Sequence, residues 1–191
     1  MEGDVTRAQA EEAVKTLLRF FHVPNTDSIY EETPKRYVNA LYEIIGGHDV
    51  PAPRLRTFES KSLGEIVFMG PLRGTSMCPH HLFPYLIQAY FAYMPSDKAV
   101  GISKPGRLLQ WVCSRAGLQE EMGNMFLDEF DRQVPNAGTM VLLKGWHLCT
   151  SVRGTKQSES ETITMESRGN FKTQMLQGRF LNLIRLAKGE E

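Results

Sequence analysis

Apolar residues recur at helical spacing in two segments near the amino terminus. Residues 6–22 are predicted to form a helix that begins with a capping box between Thr6 and Gln9. A second helix is predicted to begin with Thr33 as its N-cap and Pro34 in its first position. The pair Gly46-Gly47 is predicted to end that helix.

After a proline-containing linker at residues 51–53, the pattern changes to shorter apolar runs separated by polar turns. Strands are predicted at residues 66–69, 82–94, 139–143, 147–153 and 162–165. Further helices are predicted at residues 103–115, with Ser103 as N-cap, 118–134 and 172–187. Helices inserted between strands, without strict alternation, indicate an α+β fold. We therefore expect a helical leader over residues 1–50 and a main body over residues 51–191.

Composition and charge narrow the function classes. The 191 residues carry 22 basic and 22 acidic side chains, so the basic excess typical of a duplex-binding protein is missing and nucleic acid is not an expected partner. The longest apolar run, residues 82–94, is interrupted by Pro84 and Gln88, so no membrane span is expected. An acidic, polar start and an odd number of cysteines favour a cytoplasmic protein with thiolate or metal chemistry.

Two short segments concentrate the metal-binding residue types. Cys78-Pro79-His80-His81 and His147-Leu148-Cys149 together hold three of the five histidines and two of the three cysteines. In the strand predicted at residues 147–153, His147 and Cys149 would share a face. Ligands Cys78, His81 and Cys149 would leave a zinc ion one open position, as in catalytic sites. A closed structural site that also uses His147 remains equally open on spacing alone.

Two polar clusters have both a binding and a structural interpretation. The basic residues of Ser103-Lys104-Pro105-Gly106-Arg107 lie at a predicted helix start, where free N–H groups favour an anion, although a solvated turn has the same composition. Gln119-Glu120-Glu121 places acidic residues in the first turn of a helix. A carboxylate there can accept hydrogen bonds from a guanine edge or can simply interact with the helix dipole.

The order and spacing of these motifs closely resemble those of the GTP cyclohydrolase I family. The resemblance extends from about Arg36 to the carboxyl end. It is carried by Glu32-Thr33-Pro34-Lys35-Arg36, Ser76-Met77-Cys78-Pro79-His80-His81, Gly101-Ile102-Ser103-Lys104-Pro105-Gly106-Arg107, Leu118-Gln119-Glu120 and His147-Leu148-Cys149 with Arg153-Gly154.

The resemblance implies a fold, an assembly and a reaction. The fold would be a tunnelling fold, in which antiparallel sheets from several subunits close a barrel. The assembly would be a homodecamer of two pentamers with active sites at subunit interfaces. The reaction would be hydrolysis of GTP to formate and 7,8-dihydroneopterin 3'-triphosphate, through zinc-activated water that attacks C8.

The resemblance also implies a role for each matched residue. Cys78, His81 and Cys149 would hold zinc, His147 would protonate the imidazole ring of the base, and His80 would assist ring opening. Gln119 and Glu120 would read guanine, and Ser103 would lie near the ribose. The triphosphate would be held by Arg36, Lys104, Arg107 and Arg153.

The chain departs from the usual family pattern at several positions. Pro79 stands where Glu is common, Glu121 where Arg is usual, and Pro105-Gly106 where apolar and small residues are usual. Glu166 and Arg168 stand where small residues are commoner. Two alternative functions therefore stay open: a relative acting on another guanine nucleotide, or a non-catalytic nucleotide-binding protein with a structural zinc site.

Overall fold

The described residues of the computed structural model, 5–26, 28–60 and 64–190, alternate between helical and extended segments. The helices are α1 (Arg7–Phe20), α2 (Thr33–Ile45), α3 (Lys104–Cys113), α4 (Gln119–Gln133), α5 (Leu148–Ser151) and α6 (Gln174–Lys188). The strands are β1 (Thr57–Glu59), β2 (Val67–Met77), β3 (Pro84–Pro95), β4 (Lys98–Val100), β5 (Asn136–His147) and β6 (Thr162–Gly169). A π-helical turn (Ser28–Glu32) precedes α2, and a 3-10 turn (Asn170–Lys172) precedes α6.

The main sheet is antiparallel and has the strand order β2-β3-β5-β6, while β1 and β4 form a separate pair. This arrangement confirms the predicted α+β class with antiparallel strands. Within the described residues the sheet is open, with β2 and β6 at its edges. Completion of a barrel by further subunits stays a prediction.

Two hydrophobic cores lie on opposite faces of this sheet. Successive side chains of a strand point to opposite faces, so alternate residues of β3 enter different cores. One core joins the sheet to α3 and α4 and takes from β3 the residues Tyr85, Ile87, Ala89, Phe91 and Tyr93. The other joins the sheet to α6 and takes Tyr90, Ala92 and Met94. The central strand β3 is therefore buried on both faces from residue 89 to residue 94.

The helices begin close to where the sequence predicts them. The capping box between Thr6 and Gln9 at the start of α1 is confirmed. The N-cap of α2 is Glu32, not Thr33, because the preceding π-helical turn already holds Glu32 in a helical conformation. Ser103 is the N-cap of α3 as predicted, but its side chain makes no capping hydrogen bond.

The strand predicted at residues 147–153 is wrong. β5 ends at His147, and residues Leu148–Ser151 form the single turn α5. The hydroxyls of Thr150 and Ser151 donate to the backbone carbonyl of His147 at 3.0 and 2.9 Å. Such local side-chain bonds compete with strand pairing, which explains why the extended backbone stops there.

The linker at residues 51–53 lies outside the regular elements and packs against α3 and α4. The Trp111 indole donates to the carbonyl of Val50 at 2.7 Å, and the Gln133 amide donates to that of Pro53 at 3.1 Å. The division between residues 50 and 51 stays a prediction. Among the described residues, every helix is too short or too polar to cross a membrane.

Candidate metal centre and catalytic site

The turn between β2 and β3 presents three of the candidate residues. The N–H of Cys78 donates to the carbonyl of Phe83, and the N–H of Leu82 donates to that of Cys78, both at 2.9 Å. Leu82 completes the turn in a left-handed conformation with φ at 52°. This geometry buries Cys78 and leaves His80 and His81 exposed at the end of the sheet.

Cys78, His81 and Cys149 form a cluster of possible metal ligands. Their ligand atoms all lie within 4.8 Å of one another, and Cys78 Sγ is 3.8 Å from His81 Nδ1. Cys149 reaches the cluster from α5, and not from a strand face as the sequence argument assumed. His80 is close by, with Nδ1 3.7 Å from Cys78 Sγ. Two sulfurs and an imidazole fit zinc, and three protein ligands leave a coordination position for water.

The thiol chemistry of the cluster depends on its surroundings. Burial raises the pKa of the Cys149 thiol, and the neighbouring Cys78 raises it further, whereas the positive charge of Arg153 acts in the opposite direction. A bound cation favours the thiolate form, so metal binding and loss of the thiol proton are coupled.

His147 lies beside this cluster and is held by other groups. Its ring stacks on Tyr85, with centroids 4.3 Å apart and an interplanar angle of 11°. The two are directly opposite each other on β5 and β3, the position in which cross-strand side chains meet. Its Nε2 is 2.9 Å from Oε1 of Gln119. Burial lowers the pKa of His147, and the charge of Glu120 partly counters this effect.

The start of α4 is fixed to the strands that carry the cluster. Ser76, at the end of β2, donates to the carbonyl of Arg115 at 2.7 Å, and the Tyr85 hydroxyl donates to that of Gly117 at 2.8 Å. Burial raises the pKa of Tyr85 to about 12, so its phenol remains a donor at neutral pH. Glu120 consequently has an exposed side chain at a fixed position next to the buried Gln119.

The predicted phosphate-binding residues are dispersed in the single chain. Arg153 follows α5 and is exposed, while Arg36 lies on α2 and pairs with Glu32 one turn earlier. Ser103, Lys104 and Arg107 lie at the start of α3. Among the described residues, no hydrogen bond or ion pair joins these α2 and α3 side chains to the cysteine–histidine cluster.

Sequence reasoning missed two residues of the site, Tyr85 and Gly145. Tyr85 stacks on His147, and a β-carbon at Gly145 would lie 1.9 Å from Oε1 of Gln119. The first contact depends on the alignment of β3 with β5, and the second on the packing of α4 against β5, neither of which a single sequence specifies. The only signal in the sequence is the presence of a tyrosine early in one strand and of a histidine at the end of another.

Comparisons with known proteins identify the family of the chain. The family model described as GTP cyclohydrolase I matches residues 10–185. A GTP cyclohydrolase 1 from Sinorhizobium fredii is 35% identical over 187 residues, covering 96% of this chain and 91% of that protein. One from Hyphomonas neptunium is 35% identical over 182 residues, covering 93% and 88%. An archaeosine synthase QueF-like structure, at 17% identity and a TM-score of 0.43, covers 63% of this chain and 98% of its own and is too distant to support an argument.

The broad class is an antiparallel α+β fold with a cysteine–histidine cluster, a possible metal site, at one end of its sheet. Within that class, the match over residues 10–185 and the similarity to full-length relatives are specific. The chain belongs to the GTP cyclohydrolase I family, and the enzyme class predicted from the sequence is confirmed.

Proposed function

We propose that this protein hydrolyses GTP to formate and 7,8-dihydroneopterin 3'-triphosphate with zinc held by Cys78, His81 and Cys149. The observation that carries the proposal is the convergence of these three ligand atoms within 4.8 Å, beside the hydrogen-bonded pair of His147 and Gln119. The bound zinc would supply a water of lowered pKa for addition to C8 of the base.

Recognition of the base is assigned to the start of α4. The exposed carboxylate of Glu120 accepts hydrogen bonds from N1–H and the exocyclic amine of guanine. Adenine has no N1–H and presents no donor pair in that geometry, so it would leave the carboxylate unpaired. Sites built for hydrogen bonding reject such analogues strongly.

Proton transfer is assigned to two histidines next to the cluster. His147 lies at the end of β5 and gives a proton to the imidazole ring of the base as the ring opens. His80, exposed next to Cys78, is placed to assist the later release of formate. General acid–base catalysis of this kind contributes roughly 10²–10⁴-fold to a rate.

The remaining groups hold the substrate's charged end. The positive charge of Arg153 acts to lower the pKa of the Cys149 thiol, which supports assigning Arg153 to the metal side of the site. Arg36, Lys104 and Arg107 meet the triphosphate and Ser103 the ribose when a neighbouring subunit completes the site. We propose a cytoplasmic homodecamer built from two pentamers, in which two neighbouring subunits contribute residues to each site.

The test is mass spectrometry of the products after incubation of zinc-loaded protein with GTP and, separately, with dGTP. Formate and dihydroneopterin triphosphate are expected from GTP and should disappear when a chelator removes the metal. Turnover of dGTP alone would reassign the substrate to another guanine nucleotide. Intact nucleotide in both reactions, despite bound zinc, would contradict catalysis.

A His147→Ala variant separates a catalytic site from a closed structural one. Among the described residues, the cluster of possible metal ligands consists of Cys78, His81 and Cys149 and does not include His147, which supports a site with three protein ligands. The variant is expected to retain zinc and lose turnover. Loss of zinc would instead indicate a fourth ligand, and retained zinc with full activity would remove His147 from both roles.

A further inference from the structure

The side chain of Gln119 is enclosed within the chain, although the family resemblance assigns it to reading guanine. Gln119 is only 2% exposed, whereas the adjacent Glu120 is exposed. Each end of the Gln119 amide has partners within the protein. A side chain in this state has no free group to offer a purine base.

The orientation of the Gln119 amide follows from its neighbours. Its Nε2 lies 2.9 Å from the carbonyl of Thr162 and 3.4 Å from that of Leu143, with the Thr164 hydroxyl also at 3.4 Å. Carbonyl oxygens only accept hydrogen bonds, so the NH₂ group must face them. The acceptor Oε1 is therefore the atom that faces His147.

This orientation determines where the proton lies on the imidazole of His147. Oε1 of Gln119 can only accept, so Nε2 of His147 must carry a hydrogen. In the neutral ring that leaves Nδ1 without a proton, and among the described residues no hydrogen bond engages Nδ1. We propose that Gln119 is a positioning residue, which holds Nε2–H of His147 and directs Nδ1 toward the substrate. Nδ1 is then the atom that takes up a proton from solvent and passes it to the base, and guanine reading falls to Glu120.

Two further contacts hold the pair in this arrangement. The ring of Tyr85, nearly parallel to His147 with centroids 4.3 Å apart, restricts tilting of the imidazole. Gly145 permits the close approach of Gln119, because a β-carbon there would lie 1.9 Å from Oε1. A hydrogen bond to one ring nitrogen commonly sets the tautomer and the orientation of a functional histidine.

The tautomer can be measured directly by long-range ¹H–¹⁵N NMR of the zinc-free protein, at alkaline pH where the imidazole is neutral. The signals of His147 are identified by their loss in His147→Asn. A single Nε2–H tautomer with a slowly exchanging proton is expected in the unmodified protein, and a mixed, fast-exchanging population in Gln119→Met. An Nδ1–H tautomer in the unmodified protein would overturn the proposal without any variant being needed.

Steady-state kinetics distinguish positioning from base recognition. In Gln119→Met, kcat is expected to fall by about 10-fold or more, because a misplaced general acid loses part of its contribution to the rate. KM for GTP and selectivity over ATP are expected to stay nearly unchanged. A raised KM with relaxed selectivity and unchanged kcat would instead make Gln119 a guanine reader. Gly145→Ala, which keeps the amide but displaces it, is expected to reproduce the kcat loss.

A matched control is available at the other end of the same helix. Gln133 also bridges backbone groups with its amide, accepting from the N–H of Leu55 at 2.9 Å and donating to the carbonyl of Pro53 at 3.1 Å. Gln133→Met should lower stability without changing kcat. An equal kcat loss in this control would show that a general loosening of α4 explains the effect.

The inference rests on the proposed function only for its kinetic part. If the unmodified protein proves inactive toward GTP but shows the Nε2–H tautomer and loses it in Gln119→Met, the positioning contact stands and the proposed reaction fails. If the enzyme is active and the tautomer is Nδ1–H, the reaction stands and the positioning role fails.

Discussion

At the scale of single residues, the three cysteines illustrate how surroundings determine chemistry. Cys113 lies in the core between α3 and β2, and its buried thiol is close to Gly74, where a β-carbon would lie only 2.6 Å from Sγ. Cys78 and Cys149 are also buried, but they share their environment with a histidine, and the charge of Arg153 acts on the Cys149 thiol. The same side chain is a packing group in one place and a candidate ligand in the other two.

Alkaline unfolding tests the environment of Cys113. Burial raises the pKa of this thiol from 9.0 to about 12. The folded protein therefore keeps the proton of Cys113 at a pH where the unfolded chain loses it. The stabilising effect of this thiol is complete below pH 9, the pKa in the unfolded chain, and is lost as pH rises from 9 toward 12. One proton released on unfolding changes the free energy by about 1.4 kcal/mol per pH unit.

We therefore expect the free energy of unfolding, measured by urea titration between pH 8 and 11, to fall less steeply with pH in Cys113→Ala than in the unmodified protein. Loss of the packed Cys113 side chain lowers the free energy of unfolding by the same amount at every pH, so this loss does not change the slope. Parallel curves for the two proteins would contradict the assigned environment.

At the scale of secondary-structure elements, Arg168 attaches the edge strand β6 to α4. Its guanidinium lies 2.6 Å from Asp128 and 3.4 Å from Asp131, and it also donates to Asn124 at 3.2 Å. The other unusual residue of β6, Glu166, packs its side chain against α4 at Gly123, where a β-carbon would lie 2.9 Å from Cγ. Both departures from the family pattern therefore join the same two elements.

Arg168→Met is expected to lower the free energy of unfolding by about 1 kcal/mol in low salt, the upper range for partly exposed ion pairs. The loss should shrink as salt is added, because exposed charges are screened. Arg132→Met is the matched control, since the one ion-pair partner of Arg132 among the described residues is Glu129 on its own helix. Urea unfolding of both variants checks this expectation, and equal losses would show that the link between β6 and α4 adds nothing.

The sequence predicted the element order better than it predicted the geometry of the site. Helical spacing located α1 and α4, and the capping box of Thr6 and Gln9 located the start of α1, since those signals are local. The sequence predicted that Cys78 and Cys149 would converge, but it placed Cys149 on a strand. That strand ends at His147, because the hydroxyls of Thr150 and Ser151 donate to the His147 carbonyl. The contact of Tyr85 with His147 requires pairing between distant strands, which local patterns do not encode.

At the scale of the whole molecule, the single chain has open sheet edges and a dispersed set of proposed phosphate ligands. The edge strand β6 exposes Ile163 and Met165, which are 57% and 44% accessible. Natural proteins rarely leave an apolar edge uncovered, because it invites pairing with another chain. Neighbouring subunits that cover the β6 edge and bring the proposed phosphate ligands together would explain both features.

Ile163→Lys places a charge on this edge and is expected to shift the protein from the proposed decamer toward smaller species with reduced turnover of GTP. Sedimentation velocity measures the assembly, and Ile163→Val is the control because it keeps an apolar, β-branched residue at the same position. A monomeric unmodified protein, or a decamer that tolerates lysine, would contradict assembly through β6.

The burial of β3 on both faces also affects the fidelity of strand alignment. A register slip of one residue would exchange the sets that face α3 and α6, so both cores would be mispacked at once. The same slip would separate Tyr85 from His147 and from the carbonyl of Gly117. A chain that has packed its two cores correctly has thereby also aligned the residues of the candidate site, so a misaligned sheet is too unstable to persist with a defective site.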